Sequence, residues 1–160
     1  MLKSRRSVLS AIAAGLVVGS LALPTSASAL TLGFAQVGAE SEWRTANTVS
    51  IKEAAKAAGI TLKFSDAQQK QENQIKAIRS YIAQKVDVIA FAPVVTTGWD
   101  TVLMEAKKAK IPVILTDRSI ETKDPSLYVT MIGSDFNEEG QKAAKWLLEN
   151  YKTPGDVNIV

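Results

Sequence analysis

The sequence predicts an α/β protein with three layers, a parallel sheet flanked by helices. Short apolar runs alternate with longer segments of helical period from residue 30 onward, the order that builds parallel sheets through right-handed crossovers. Two of the runs, "VDVIAFA" and "IPVIL", are almost continuously apolar, as in strands covered on both faces. Cysteine is absent, so stability must come from an ordinary apolar core rather than from disulfides.

The elements follow in order. Residues 1–29 read as an export signal peptide: a basic start ("MLKSRR"), an apolar stretch rich in small residues, and "ASA" at 27–29 as the cleavage site. Arg5-Arg6 fits a twin-arginine signal, but Val8 stands where that signal wants a bulkier residue, which favours the general Sec route. Strands are expected at 30–37, 60–64, 86–92, 111–115 and 127–133. Ser41 is placed to cap a first helix that stops at Gly59. Ile75, Ile78 and Ile82 give the second helix its buried stripe. Thr97 with Asp100 is a candidate capping box for the third helix, in which Trp99, Leu103 and Ala106 share a face. Asp135 with Glu138 repeats the device for the fourth, with Ala143, Trp146 and Leu147 as its inner face. "VNIV" at 157–160 reads as the start of another strand. "TDRSIETKDPS" is too short for a crossover helix, so the chain should leave the first sheet there or just after it.

Charge excludes one class of function. The 19 Lys and Arg outnumber the 16 Asp and Glu only through Lys3, Arg5 and Arg6, all in the signal. The remainder is formally neutral and lacks the footprint of a nucleic-acid binder. Histidine is absent too, which removes the usual catalytic triads and most zinc sites; no metal, cofactor or catalytic residue is implied. "GFAQVGAE" has the outer glycine spacing of a P-loop, but Ala39-Glu40 replaces the Lys-Ser/Thr, and the nearby Glu40 and Glu42 repel phosphate.

In open α/β sheets ligands bind beyond the carboxyl ends of the strands, where "GAESEWR", "SDAQQ", "PVVTTG" and "TDRS" would line one rim. Trp43 either offers its face to the C–H side of a sugar ring, with Arg44 donating to hydroxyls, or plugs the first helix into the core while Arg44 stays in solvent. Asp117-Arg118 reads three ways: a surface ion pair, a turn starter, or a neutral clamp of acceptors and donors for vicinal hydroxyls.

"GFAQVGAESEWR", "QQKQENQIKA", "DVIAFAPVVTTGWDTVLMEAKKAKIPVILTDRS" and "GSDFNEEGQKAAKWL" together resemble the periplasmic sugar-binding proteins of bacterial ABC importers, most of all the galactofuranose-binding type. The resemblance covers residues 30–160 and implies a type I periplasmic-binding-protein lobe over 30–132. Residues 133–160 would begin a second lobe that is incomplete at Val160. It further implies that Glu40, Ser41, Glu42, Trp43 and Arg44, with Asp117 and Arg118, hold a monosaccharide from the first lobe. It implies a periplasmic location, a membrane permease as partner, a monomer when complete, and no enzyme activity. A periplasmic sensor feeding a chemoreceptor or histidine kinase is an alternative. So is the sensor domain of a sugar-responsive repressor, although such repressors carry a helix-turn-helix where this chain has an export signal.

Overall fold

The computed structural model describes residues 29–151, so the expected export signal up to residue 28 and the strand expected at 157–160 lie outside the described residues. Five strands form one parallel sheet: β1 (Thr31–Gln36), β2 (Thr61–Asp66), β3 (Val88–Phe91), β4 (Val113–Thr116) and β5 (Thr130–Ile132), in the spatial order β2-β1-β3-β4-β5. They are interleaved with α1 (Glu42–Ala57), α2 (Gln71–Ala83) and α3 (Asp100–Lys108), and α4 (Phe136–Asn150) follows β5. The chain steps from β1 to one side and then crosses to the other, which puts the topological switch point between β1 and β3.

Strand register sorts the side chains onto two faces. Gly33, Ile89 and Val113 stand in one row, and Ala35, Phe91 and Leu115 in the next. Against these rows pack Ile78 and Tyr81 of α2, Trp99 just before α3, and Val102, Leu103 and Ala106 of α3, all buried. Trp99 meets Phe91 at 4.9 Å between ring centroids, and its indole N–H donates to the Val95 carbonyl at 2.7 Å. Gly33 is needed for space: a Cβ there would lie 2.5 Å from the Tyr81 ring, whose hydroxyl donates to the Phe34 carbonyl at 2.9 Å.

The other face is covered less fully. α1 lies over β1 and β2, with Lys52 4.4 Å above the Phe64 ring and Asn47 and Thr48 accepting from buried Gln36. Towards β5 the cover thins: Ile114 is half-buried and Ile132 is 62% exposed. The apolar runs predicted cover on both faces: β3 has it, with Ile89, Ala90 and Phe91 all buried, whereas in β4 Val113 and Leu115 are buried and Ile114 on the opposite face is only half-buried.

Local signals are confirmed at α1, where the Ser41 hydroxyl accepts from the Arg44 amide at 3.1 Å, and at α4, where the Asp135 carboxylate accepts from the Glu138 amide at 3.0 Å. Gly59 ends the first helix with φ 67°.

Two expectations are corrected and one is extended. α3 begins after Trp99 with no side-chain cap, because the N-cap position falls on Trp99 and Thr97 stands two residues ahead of it, beyond the turn at Gly98 (φ 83°). The α2 stripe is extended: Ile78 is fully buried with Ile75 and Ile82 half-buried against the core, and Gln74 and Tyr81 are buried as well. In α4, Ala143 and Trp146 are exposed and Leu147 is half-buried, so among the described residues the helix buries no inner face, and the Trp146 ring meets only Tyr151, edge-on at 6.2 Å. The short link from β4 to β5 holds a single 3-10 turn (Pro125–Leu127), and β5 still joins the sheet in parallel. Among the described residues the sheet ends with β5. No helix among the described residues is long and apolar enough to cross a membrane.

Candidate functional site

The rim at the carboxyl ends of β1 and β3 is tied together from below by two buried glutamines. Gln74 of α2 donates to the Ala35 and Ala92 carbonyls, at 3.2 and 2.6 Å, and accepts from the Val94 amide at 2.9 Å. Gln36 donates to Asn47 and Thr48 and accepts from the Val37 amide, which anchors the start of α1 to the end of β1. Every polar atom of these two amides that is paired holds backbone or helix in place, so both serve the frame rather than a ligand. Gln74 was missed at the level of sequence. Its spacing from Ile78 and Tyr81 on one helical face was the available signal.

On that frame, the first turn of α1 sends Trp43 and Arg44 in different directions. Trp43 is 56% exposed, whereas Arg44 is 3% exposed. The sequence allowed Trp43 in the core and Arg44 in solvent; the structure reverses that reading. Arg44 Nη2 donates to Asp117 Oδ2 at 2.8 Å and Nε donates to Glu40 Oε1 at 3.2 Å. Its guanidinium carbon lies 4.8 Å from the centroid of the Trp43 ring. Two carboxylates and an aromatic ring thus fix one planar cation, a geometry that Arg's rigid fork suits and Lys does not.

One donor is left over. Arg44 Nη1 is buried and has no hydrogen-bond partner. An orphaned buried N–H costs about 1–3 kcal/mol, so this nitrogen is a ready donor for any acceptor that reaches it.

Asp117 is held with φ 64°, left-handed backbone that a non-glycine residue rarely adopts. Its turn aims the carboxylate at Arg44, across from the neighbouring chain segment. Arg118 is more distant: its Nε lies 3.7 Å from Asp117 Oδ2, too long for a hydrogen bond, and its side chain is 44% exposed. Ser41 spends its hydroxyl on the helix cap. Glu42 is exposed, with no side-chain hydrogen bond or ion pair among the described residues. The structure therefore brings Glu40, Trp43, Arg44, Asp117 and Arg118 together, while Ser41 shapes the turn and Glu42 stands at the margin. Such a cluster offers a planar set of donors, flanking acceptors and an apolar ring face. It suits a neutral, hydroxyl-rich ligand.

Known proteins agree with this architecture. The chain is 53% identical over 145 residues to the galactofuranose-binding protein YtfQ of Escherichia coli (strain K12), covering 91% of this chain and 44% of that one. Among solved structures, one from Mycobacterium smegmatis in complex with β-D-fucofuranose matches with 65% identity and a TM-score of 0.75, covering 78% of this chain and 41% of that one. The periplasmic binding component of an arabinose ABC transporter from Shewanella sp. ANA-3, bound to α- and β-L-arabinofuranose, matches with 61% identity and a TM-score of 0.72, over 74% and 39% of the two chains. The chain thus spans less than half the length of these relatives. With a parallel sheet of matching topology, a strand-end rim built from "ESEWR" and "TDRS", and a family-model match over residues 32–160, the chain belongs to the periplasmic binding protein domain family.

Proposed function

We propose that this chain supplies the first sugar-binding lobe of the solute-binding component of an ABC sugar importer, and that its ligand is a monosaccharide in the furanose form. The single observation that carries the reading is the buried Arg44 guanidinium, fixed by Asp117 and Glu40 with one donor free beside an exposed Trp43. Furanose ligands accompany two of the similar structures, and the curated relative is named for galactofuranose. Hydrogen bonds to charged groups contribute about 1.5–3 kcal/mol each, so a few of them with ring stacking suffice for micromolar affinity.

The family implies a periplasmic location. On this reading residues 1–29 direct export by the Sec route, and residues 30–132 form the lobe described above. Residues from 133 onward begin a second lobe that supplies the opposing contacts. Sugar binding then shifts the two lobes towards a closed state that an inner-membrane permease recognises, with the binding protein acting as a monomer and performing no chemistry.

Thermal unfolding with and without sugar tests the reading. Methyl β-D-galactofuranoside and L-arabinose should each raise the melting temperature at millimolar concentration, whereas methyl β-D-galactopyranoside should not. A shift with the pyranoside alone, or with none of the sugars, overturns it.

A further inference from the structure

Asp117 and Gly133 each follow a strand directly, and those strands are paired in parallel with Thr116 opposite Ile132. The two residues therefore stand side by side at neighbouring strand ends. The Asp117 amide donates to the Ile132 carbonyl at 2.8 Å, and the Arg118 amide donates back to Thr116 at 2.7 Å. This second bond closes a three-residue turn around Asp117, whose positive φ marks the rarer and strained hand of γ-turn. The turn swings the Asp117 backbone against Gly133. A Cβ at position 133 would lie 2.8 Å from the Asp117 carbonyl oxygen and 3.1 Å from both its carbonyl carbon and its Cα. These are backbone atoms, so no change of rotamer relieves the contact. Gly133 is not itself among the glycines with positive φ, so glycine serves there for space and not for conformation.

We propose that Gly133 is a positioning residue for the Arg44–Asp117 pair: its missing side chain is what lets the Asp117 turn sit close enough for the carboxylate to reach Arg44 at 2.8 Å. A methyl group at 133 displaces the turn, lengthens the pair and misaligns the free Arg44 nitrogen. The consequence for affinity rests on the furanose reading above; the geometric consequence does not.

The experiment compares Gly133→Ala in the full-length protein with Gly140→Ala, where an added Cβ meets open space. In the ligand-free proteins the Arg44 Nε–H resonance should move in the first variant and stay in place in the second. The Kd for methyl β-D-galactofuranoside should rise at least tenfold with Gly133→Ala. The same change should add less than twofold in an Asp117→Ala background, a non-additivity that general loss of structure does not produce. An unmoved Arg44 resonance, or a full tenfold loss on top of Asp117→Ala, overturns the proposal. If the parent protein binds no furanose, the sugar reading fails and the Arg44 resonance alone decides the role of Gly133. If Gly133→Ala does not fold, it is combined with Asp117→Gly, whose backbone can give way. Folding restored there supports the proposal, and folding not restored overturns it.

Discussion

Replacing Arg44 by lysine separates holding the site together from holding a sugar. Lys retains the charge that faces Asp117 and Glu40, whose side chains are only 19% and 24% exposed. A single ammonium in place of the planar fork keeps one of the two carboxylate contacts in good geometry and surrenders the other. Losing that charge-assisted bond costs about 1.5–3 kcal/mol, and removing the orphaned Nη1 returns about 1–3 kcal/mol, so the two terms nearly cancel in the ligand-free protein. The melting temperature should therefore stay within a few degrees of the parent. Sugar binding has no such compensation. Without Nη1 the ligand loses at least one hydrogen bond to a charged donor, so affinity should fall roughly 10- to 150-fold. Arg44→Met is the contrasting variant: it strips Glu40 and Asp117 of their shared cation and leaves only the long contact from Arg118 to Asp117. That should cost about 2 kcal/mol of stability, below the range for a fully buried broken pair because both acids keep some solvent. Calorimetric titration with methyl β-D-galactofuranoside and thermal unfolding by circular dichroism read the two effects. A Kd for Arg44→Lys within threefold of the parent, at unchanged melting temperature, refutes the assignment of Nη1 as a ligand donor.

The remaining expectations are independent of that one. Arg118→Ala removes an exposed side chain that makes only a long ion pair, so stability should change by less than about 0.5 kcal/mol while sugar affinity drops at least tenfold; equal losses of both would make Arg118 structural. Gln68 and Gln69 occupy φ 53° and 60° in a tight turn closed by the Lys70 amide on the Ala67 carbonyl, so the double change Gln68→Asn and Gln69→Gly should raise stability by about 1 kcal/mol. A lowered melting temperature for that pair counts against the strain. Burial pushes the Tyr81 phenol above its ordinary value near 10. The folded state then binds that proton more tightly than the unfolded chain, so the contribution is complete below pH 10 and is lost as pH climbs towards the folded value. Denaturant unfolding from pH 8 to 11 should show this extra decline in the parent and not in Tyr81→Phe. Parallel pH profiles would place the alkaline loss elsewhere.

What the sequence by itself determined was local. Ser41 as a helix cap, the five strands, Trp99 with Leu103 and Ala106 on one face, and "ESEWR" and "TDRS" at strand ends all follow from periodicity and capping chemistry within a few residues. Tertiary structure decided everything that depends on what lies opposite. Adjacent residues on a helix point about 100° apart, but the phase is set by the surface beneath, so only the folded chain could send Arg44 inward and Trp43 outward. Asp117 has Arg118 next to it in sequence, yet it pairs at 2.8 Å with Arg44, which lies 73 positions away. The strained turn at Asp117 brings its carboxylate closer to Arg44 than to Arg118, whose Nε stays 3.7 Å away, and the bare surface of Gly133 gives that turn room. The same dependence explains why Trp146 was expected inside and stands exposed: its helical spacing defines a face, but a face is buried only where something packs on it.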